Sequence, residues 1–291
     1  MKAVLRIVVA AALMALVWRS VDGAAAVALL RDAEAWLLAL ALGLLSAQIA
    51  LSALRWSMTS RALGHALGLR TALAEYHLGV LLNMTLPGGV LGDAGRAVRT
   101  RGGAGMAAAV QAVVVERLSG QLTMAAVLGT GLALWPPAVP WGPWVALCML
   151  GAGVVAVVIL AGGPPLMRRF GRAVSRVWAP WAHGARQAAV NLAIVACTIG
   201  AMAACSAAVG APLGTAALVA VPLTLMAMLV PISVGGWGLR EGAAAVVWPL
   251  AGHAAQAGLA ASIAFGTLAL AASLPGLLVA ARSRAMSAGA T

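Results

Sequence analysis

Charge is what this sequence has least of. Of its 291 residues, 9% are Asp, Glu, Lys or Arg and only seven are acidic, whereas soluble domains run at about 25% charged. With 63% hydrophobic residues and a mean hydropathy of +1.00, that shortage excludes a water-soluble globular domain. Cysteine is scarce too: Cys148, Cys197 and Cys205 all lie in apolar runs, which excludes a disulfide framework and argues against a metal site. Aromatic residues make up 4%, and Tyr76 is the single tyrosine. No basic patch alternates with aromatics, so the formal charge of +12 does not point to nucleic acid. HExxH, HxxEH and GxSxG signatures are missing, and neither cofactor nor metal is expected.

What the sequence does have is long apolar runs, near 3–18, 35–54, 71–86, 107–134, 144–163, 188–209, 214–233, 242–250 and 256–281. Several reach the roughly 18 residues that a membrane-spanning helix requires, where a β-barrel would show short alternating strands. Lys2, Arg6 and IVVAAALMALVW imitate a secretory leader, but Arg19 and Asp22 argue against cleavage, so a retained first helix is expected. The arginines mark loops. Arg55, Arg61 and Arg70 read as one cytoplasmic loop, and Arg168, Arg169, Arg172, Arg176 and Arg186 place a second over 164–187. Arg282 and Arg284 put the C-terminus on the same side, while WPPAVPWG at 135–142 suits an outer interfacial turn.

If 71–86 crossed fully, Arg96, Arg99 and Arg101 would fall outside, against the positive-inside rule. A hairpin that enters at 71–86, breaks at LPGGVLGD and returns removes the conflict. The run 214–233 then enters from the other side, breaks at PISVGGWG and returns through 242–250. The two breaks share a pattern. PGGVLGDAGR from Pro87 and PISVGGWGLR from Pro231 each carry glycine five residues after the proline (Gly92, Gly236) and arginine nine after it (Arg96, Arg240). Broken helices facing each other in an inverted repeat are a common transporter design. The expectation is an all-α polytopic transmembrane bundle forming a single integral membrane domain over 1–291. Repeat 1 runs over about 35–134, a linker helix and cytoplasmic loop over 144–187, and repeat 2 over about 188–281.

Of the acidic residues, Asp22, Asp32 and Glu34 suit a solvated outer loop, whereas Glu75, Asp93, Glu116 and Glu241 lie in or beside membrane segments. A charge at the bilayer centre costs about 2.5–3.5 kcal/mol on insertion scales, so these need partners or a wet cavity. Glu116 and Arg117 are adjacent on one helix and point about 100° apart. Their partners are therefore sought among the hairpin charges Asp93, Arg96, Arg240 and Glu241. Two readings follow. In one, the charges form a purely structural salt-bridge cluster joining the halves. In the other, Arg96, Arg117 and Arg240 hold an anionic headgroup, for which the planar guanidinium fork is suited, while Asp93, Glu116 and Glu241 position them or carry protons. The helix-break set is Pro87, Gly88, Gly89, Gly92, Pro231, Gly235, Gly236 and Gly238, which frees backbone N–H groups at helix ends. Tight helix packing is the alternative use of those glycines. His65, His183 and His253 read as loop residues, and His77 as a packed polar residue or a proton relay.

Three motifs, LLNMTLPGGVLGDAGRAV, VVVERLSG and VPISVGGWGLREGA, occur in an order that resembles the lysylphosphatidylglycerol-synthase transmembrane region, a flippase-like membrane family. The resemblance covers about residues 5–281. It implies lipid flipping or transport and adds Asn83 and Ser233 to the arginines as substrate-binding residues. In two-part members a soluble aminoacyl-transferring domain follows; with the last helix ending near residue 281, synthase activity is not expected here. The partner expected is an anionic phospholipid or lipid-linked intermediate in the cell inner membrane, with both termini cytoplasmic. Two alternatives stay open: a membrane enzyme acting on a lipid-linked phosphate or sugar, and a scaffold for lipid-biosynthesis enzymes.

Overall fold

The computed structural model describes residues 2–86, 91–102, 105–134, 165–179, 181–229 and 234–281. The regular elements among them are helical. In chain order they are α1 (Lys2–Ser20), α2 (Gly23–Arg31), α3 (Ala35–Ala62), α4 (Leu69–Thr85), α5 (Leu91–Arg99), α6 (Gly105–Leu134), α7 (Pro165–Trp178), α8 (Trp181–Ala208), α9 (Ala217–Met226), α10 (Leu239–Val247) and α11 (Ala255–Ser273). Four of them (α3, α6, α8 and α11) are long and apolar enough to cross a membrane, and α1 with α2 makes a fifth candidate if the 87° bend between them is counted within one span. Leu122, Leu192 and Val246 are among the large apolar side chains left on the outside of the bundle, as contact with hydrocarbon requires.

Helices α3 and α8 form the spine and run antiparallel along their whole length. At one end the Glu34 N–H donates to the Ala208 carbonyl at 3.0 Å; further along Arg55 reaches Asn191 at 2.6 Å, and Gln187 donates to Thr59 at 3.0 Å. These contacts define a Glu34 end and an Arg61 end of the bundle. Alanine dominates the core, with Ala41, Ala53, Ala201, Ala260 and Ala261 wholly buried, because helices that pack in lipid gain mainly from close backbone approach.

The short helices come in pairs. Helix α5 runs back along α4: the Asn83 side-chain oxygen accepts from the Gly92 N–H at 2.7 Å, and Arg99 binds Glu75 at 2.6 Å. Gly92 sits so close to α4 that a Cβ there would collide with the Gly79 carbonyl. Gly92→Ala is therefore expected to cost about 1–3 kcal/mol through forced backbone displacement, read as a lower thermal midpoint in detergent. Helices α9 and α10 likewise leave and return at one end, the Glu34 end. His253 Nε2 lies 3.0 Å from the Pro212 carbonyl oxygen, and Trp248 donates to Ser206 at 2.9 Å. The C-terminal end of α4 meets the segment that leads into α10. Gly235, at φ +56°, lies against the Met84 backbone so closely that any side chain there would clash.

The structure corrects two sequence expectations and adds detail to two others. Arg55 does not end a helix or mark a loop: α3 continues to Ala62 and buries it, because Glu116 of α6 compensates its charge and Asn191 of α8 accepts a hydrogen bond from it. The stretch 164–187, read as a cytoplasmic loop, is largely helical among the described residues. It contains α7, whose Ala173 and Val177 pack on Val115 of α6, and it runs into α8. His183 accordingly lies within the first turn of α8, and His65, though in a loop, is buried. The expected span 144–163 and the WPPAVPWG turn lie outside the described residues.

Candidate functional site

The buried charges gather in two places. The first lies where α3, α4, α5, α6 and α8 converge. Glu116 is eleven residues into α6, about 17 Å along its axis at 1.5 Å per residue, and is wholly buried. It pairs with two arginines: Arg96 Nη2 at 2.6 Å and Arg55 Nη2. Tyr76 adds a hydroxyl donor at 3.1 Å. Three of the four lone-pair directions of this carboxylate are thus taken by donors from α3, α4 and α5.

Asp93 links the rest. Its Oδ1 accepts from Arg96 Nε at 3.0 Å, and its Oδ2 lies 2.5 Å from Arg117 Nη2. Asp93 and Arg96 share one face of α5 because they stand three residues apart. Arg96 is clamped between rings, with Cζ 4.6 Å from the centroids of both Trp56 and Tyr76, a cation–π arrangement that gains strength away from water. The cluster therefore holds three guanidinium groups (Arg55, Arg96, Arg117) against two carboxylates (Asp93, Glu116). Arg55 Nε and Arg96 Nη1 are buried with no hydrogen-bond partner among the described residues. Arg117 is the open face, its side chain 45% exposed.

The second place is the start of α10. Arg240 and Glu241 are both wholly buried and bind each other at 2.5 Å. Arg240 Nε also reaches Ser262 at 3.0 Å. The other Glu241 oxygen accepts from the Gly238 N–H at 2.7 Å, satisfying a donor at the helix N-terminus. Gly238 is at φ +85°, where a side chain would be strained. Trp237 and Phe265 flank Arg240 at 4.8 and 5.7 Å. Each break-associated arginine thus sits between two aromatic rings, but their carboxylates differ in origin. Arg96 takes one partner from α6 and a second, Asp93, from its own helix, whereas Arg240 takes its carboxylate from the next residue in the chain.

Set against the sequence reading, Glu116 and Arg117 do find partners on another element, α5. Arg240 and Glu241 do not join them and pair with each other. Asn83 bridges α4 and α5. Gly92, Gly235, Gly236 and Gly238 stand at the turning regions, while Pro87, Gly88, Gly89, Pro231 and Ser233 lie outside the described residues. The sequence reading missed Arg55, Trp56, Tyr76, Asn191 and Gln187. One signal was present: Gln48, Ser52, Arg55 and Thr59 recur at helical spacing along α3, forming a polar stripe on an otherwise apolar helix.

Long apolar helices enclosing a largely buried ion-pair network define a multi-pass α-helical membrane protein. The family model for the lysylphosphatidylglycerol synthase TM region matches residues 3–276, and the chain belongs to that family. No curated protein and no solved structure matches it.

Proposed function

We propose that the chain translocates an anionic phospholipid or lipid-linked intermediate, with the Arg55–Arg96–Arg117 cluster receiving the headgroup. The observation that carries this reading is the charge imbalance. Three guanidinium groups face two carboxylates within a bundle of apolar helices, and Arg55 Nε and Arg96 Nη1 lack partners among the described residues. An uncompensated charge is costly in such surroundings, and one anion would balance it. Arg117, the exposed member, makes first contact. Arg240 has its Nε and Nη2 occupied by Glu241 and Ser262 and braces the second break in this reading.

The paired helices fit the same scheme. We read α4–α5 and α9–α10 as re-entrant hairpins of an inverted repeat that enter from opposite ends. The support is that each pair returns to the end it left, and that Gly235 lies against Met84, where the C-terminal end of α4 meets the segment that leads into α10. The Arg61 end is read as cytoplasmic, with both termini there and the bundle in the inner membrane. Exposed Arg61, Arg70, Arg101, Arg168, Arg172 and Arg176 gather at or beside that end, whereas Asp22, Asp32 and Glu34 belong to the other. Transport rather than catalysis is the reading because Asp93, Glu116 and Glu241 are all ion-paired to arginine, which leaves none of them free as a general base.

The test is translocation of a fluorescent phosphatidylglycerol in proteoliposomes. Arg117→Gln is expected to slow it by about tenfold or more, since charge-assisted hydrogen bonds to the headgroup would be lost. An unchanged rate in a well-folded variant would sink the headgroup role.

A further inference from the structure

Helix α5 is fixed differently from the helices around it. Its two large apolar side chains, Leu91 and Val98, point outward at 48% and 47% exposure, and Ala97 is its one contribution to the hydrophobic core. What holds it is a row of polar contacts. The Gly92 N–H donates to Asn83 of α4 at 2.7 Å, and Asp93 meets Arg117 of α6 at 2.5 Å. Arg96 meets Glu116 at 2.6 Å, and Arg99 meets Glu75 at 2.6 Å. Arginine binds phosphate by the same paired N–H geometry as carboxylate, so an incoming anion can replace a carboxylate here. A packed apolar face offers no such exchange.

The cluster beneath α5 is incompletely satisfied. Arg55 Nε, Trp56 Nε1 and Arg96 Nη1 are buried with no hydrogen-bond partner among the described residues. Their side chains meet in one place: Arg55 and Arg96 share Glu116, and Trp56 lies against the Arg96 guanidinium. None of the three nitrogens is accessible, so no ligand reaches them in this arrangement. Orphaned buried donors are costly. Three together raise the energy of the closed arrangement and bring an open one nearer to it.

Of the five helices that enclose the cluster, α5 is the shortest, with nine residues. Beyond its C-terminus, Gly102 at φ +42° and Gly105 at φ +81° supply turning points that a side chain would hinder.

We propose that α5 is a latch over the cluster, closed in this structure and released when an anionic headgroup takes Arg117 from Asp93. Arg117 is the accessible partner, its side chain 45% exposed, so the exchange begins from outside. Asp93 then no longer ties α5 to α6. As the helix moves, the unused donors of Arg55, Trp56 and Arg96 come within reach of the ligand. A ligand shifts such an equilibrium only by binding the open state better, and those donors are what the open state adds. The lipid as trigger rests on the translocation reading above.

The experiment is hydrogen exchange, read by mass spectrometry, on the full chain in detergent with and without dihexanoyl-phosphatidylglycerol. Amides of 91–99 are expected to exchange about tenfold or more faster than those of α3 and α8, and faster again with the lipid. The double change Glu75→Gln with Arg99→Gln removes a partly exposed pair without leaving a lone charge. It should speed exchange in α5 about threefold to fivefold and leave α3 and α8 unchanged. Ala97→Cys, at a position 3% exposed, gives a second readout in a chain whose own cysteines are replaced by alanine. A charged thiosulfonate reagent should modify it faster when the lipid is present. Protection of α5 equal to that of α8 in every condition overturns the latch, as does exchange that rises equally in all helices. Release by uncharged dihexanoylglycerol as readily as by the anionic lipid overturns the exchange of anions as its trigger. If lipid crosses proteoliposomes while α5 stays protected, the latch fails and the translocation reading stands. If α5 is released by the anionic lipid but none crosses, the translocation reading fails and the latch stands.

Discussion

Glu116→Gln is expected to destabilise the protein by about 3–5 kcal/mol, the range found when one partner of a buried ion pair is removed. The amide keeps the shape of the side chain but leaves Arg55 and Arg96 facing each other with Asp93 as the one remaining carboxylate. Three helices would lose their common anchor at once, since Arg55 belongs to α3, Arg96 to α5 and Glu116 to α6. The measurement is thermal unfolding in detergent, followed by size-exclusion chromatography to separate loss of fold from loss of activity. The contrast with Arg117→Gln is the informative part. Arg117 is nearly half exposed, so its pair with Asp93 should contribute no more than about 1 kcal/mol to stability. Its loss should instead appear in lipid movement. If Glu116→Gln melts like the wild type, the cluster is not the keystone described here.

The second large effect concerns α10. Glu241→Gln or Arg240→Gln alone should cost about 3–5 kcal/mol, because each leaves a wholly buried charge without its partner. Changing both together to leucine and methionine should restore most of that loss, as replacement of buried pairs by apolar residues of similar volume often does. The restoration should be incomplete. Glu241 also accepts from the Gly238 N–H, and Ser262 would be left without its bond to Arg240. A double variant that melts like the wild type yet moves no lipid would show that the pair takes part in transport as well as in holding the break. One no more stable than the singles would show that the cap on Gly238 outweighs the ion pair.

Glu116 and Arg240 also show where sequence reasoning stops. Glu116 was recognisable as a residue that needs a partner, because its apolar surroundings are written in the same 30-residue helix. That Arg55 supplies half of its neutralisation was not. The two are 61 positions apart, and Arg55 follows an apolar run at a point where a charge reads as a membrane boundary. Hydropathy assigns the cost of a charge locally, whereas a helix continues through a charge that a distant residue compensates. That most of 164–187 is helical was hidden for a related reason. Five arginines suggest solvent, but Ala173 and Val177 on one face of α7 find an apolar partner on α6 that a linear scan cannot supply.

What the sequence determined by itself is the solvent and the element type. With so few charges and apolar runs this long, backbone groups in lipid must be satisfied within each segment, and that leaves helices. The positions of two of the helix breaks were legible too, because proline and clustered glycine act through local backbone sterics. The motif order placed the chain in its family. Tertiary structure alone decided which charges meet: Glu116 with Arg55 and Arg96, Arg117 with Asp93, and Arg240 with its own neighbour. Ion pairing depends on distances between helices, set by how the small residues of α3, α8 and α11 let their backbones approach, and no spacing along the chain encodes those distances.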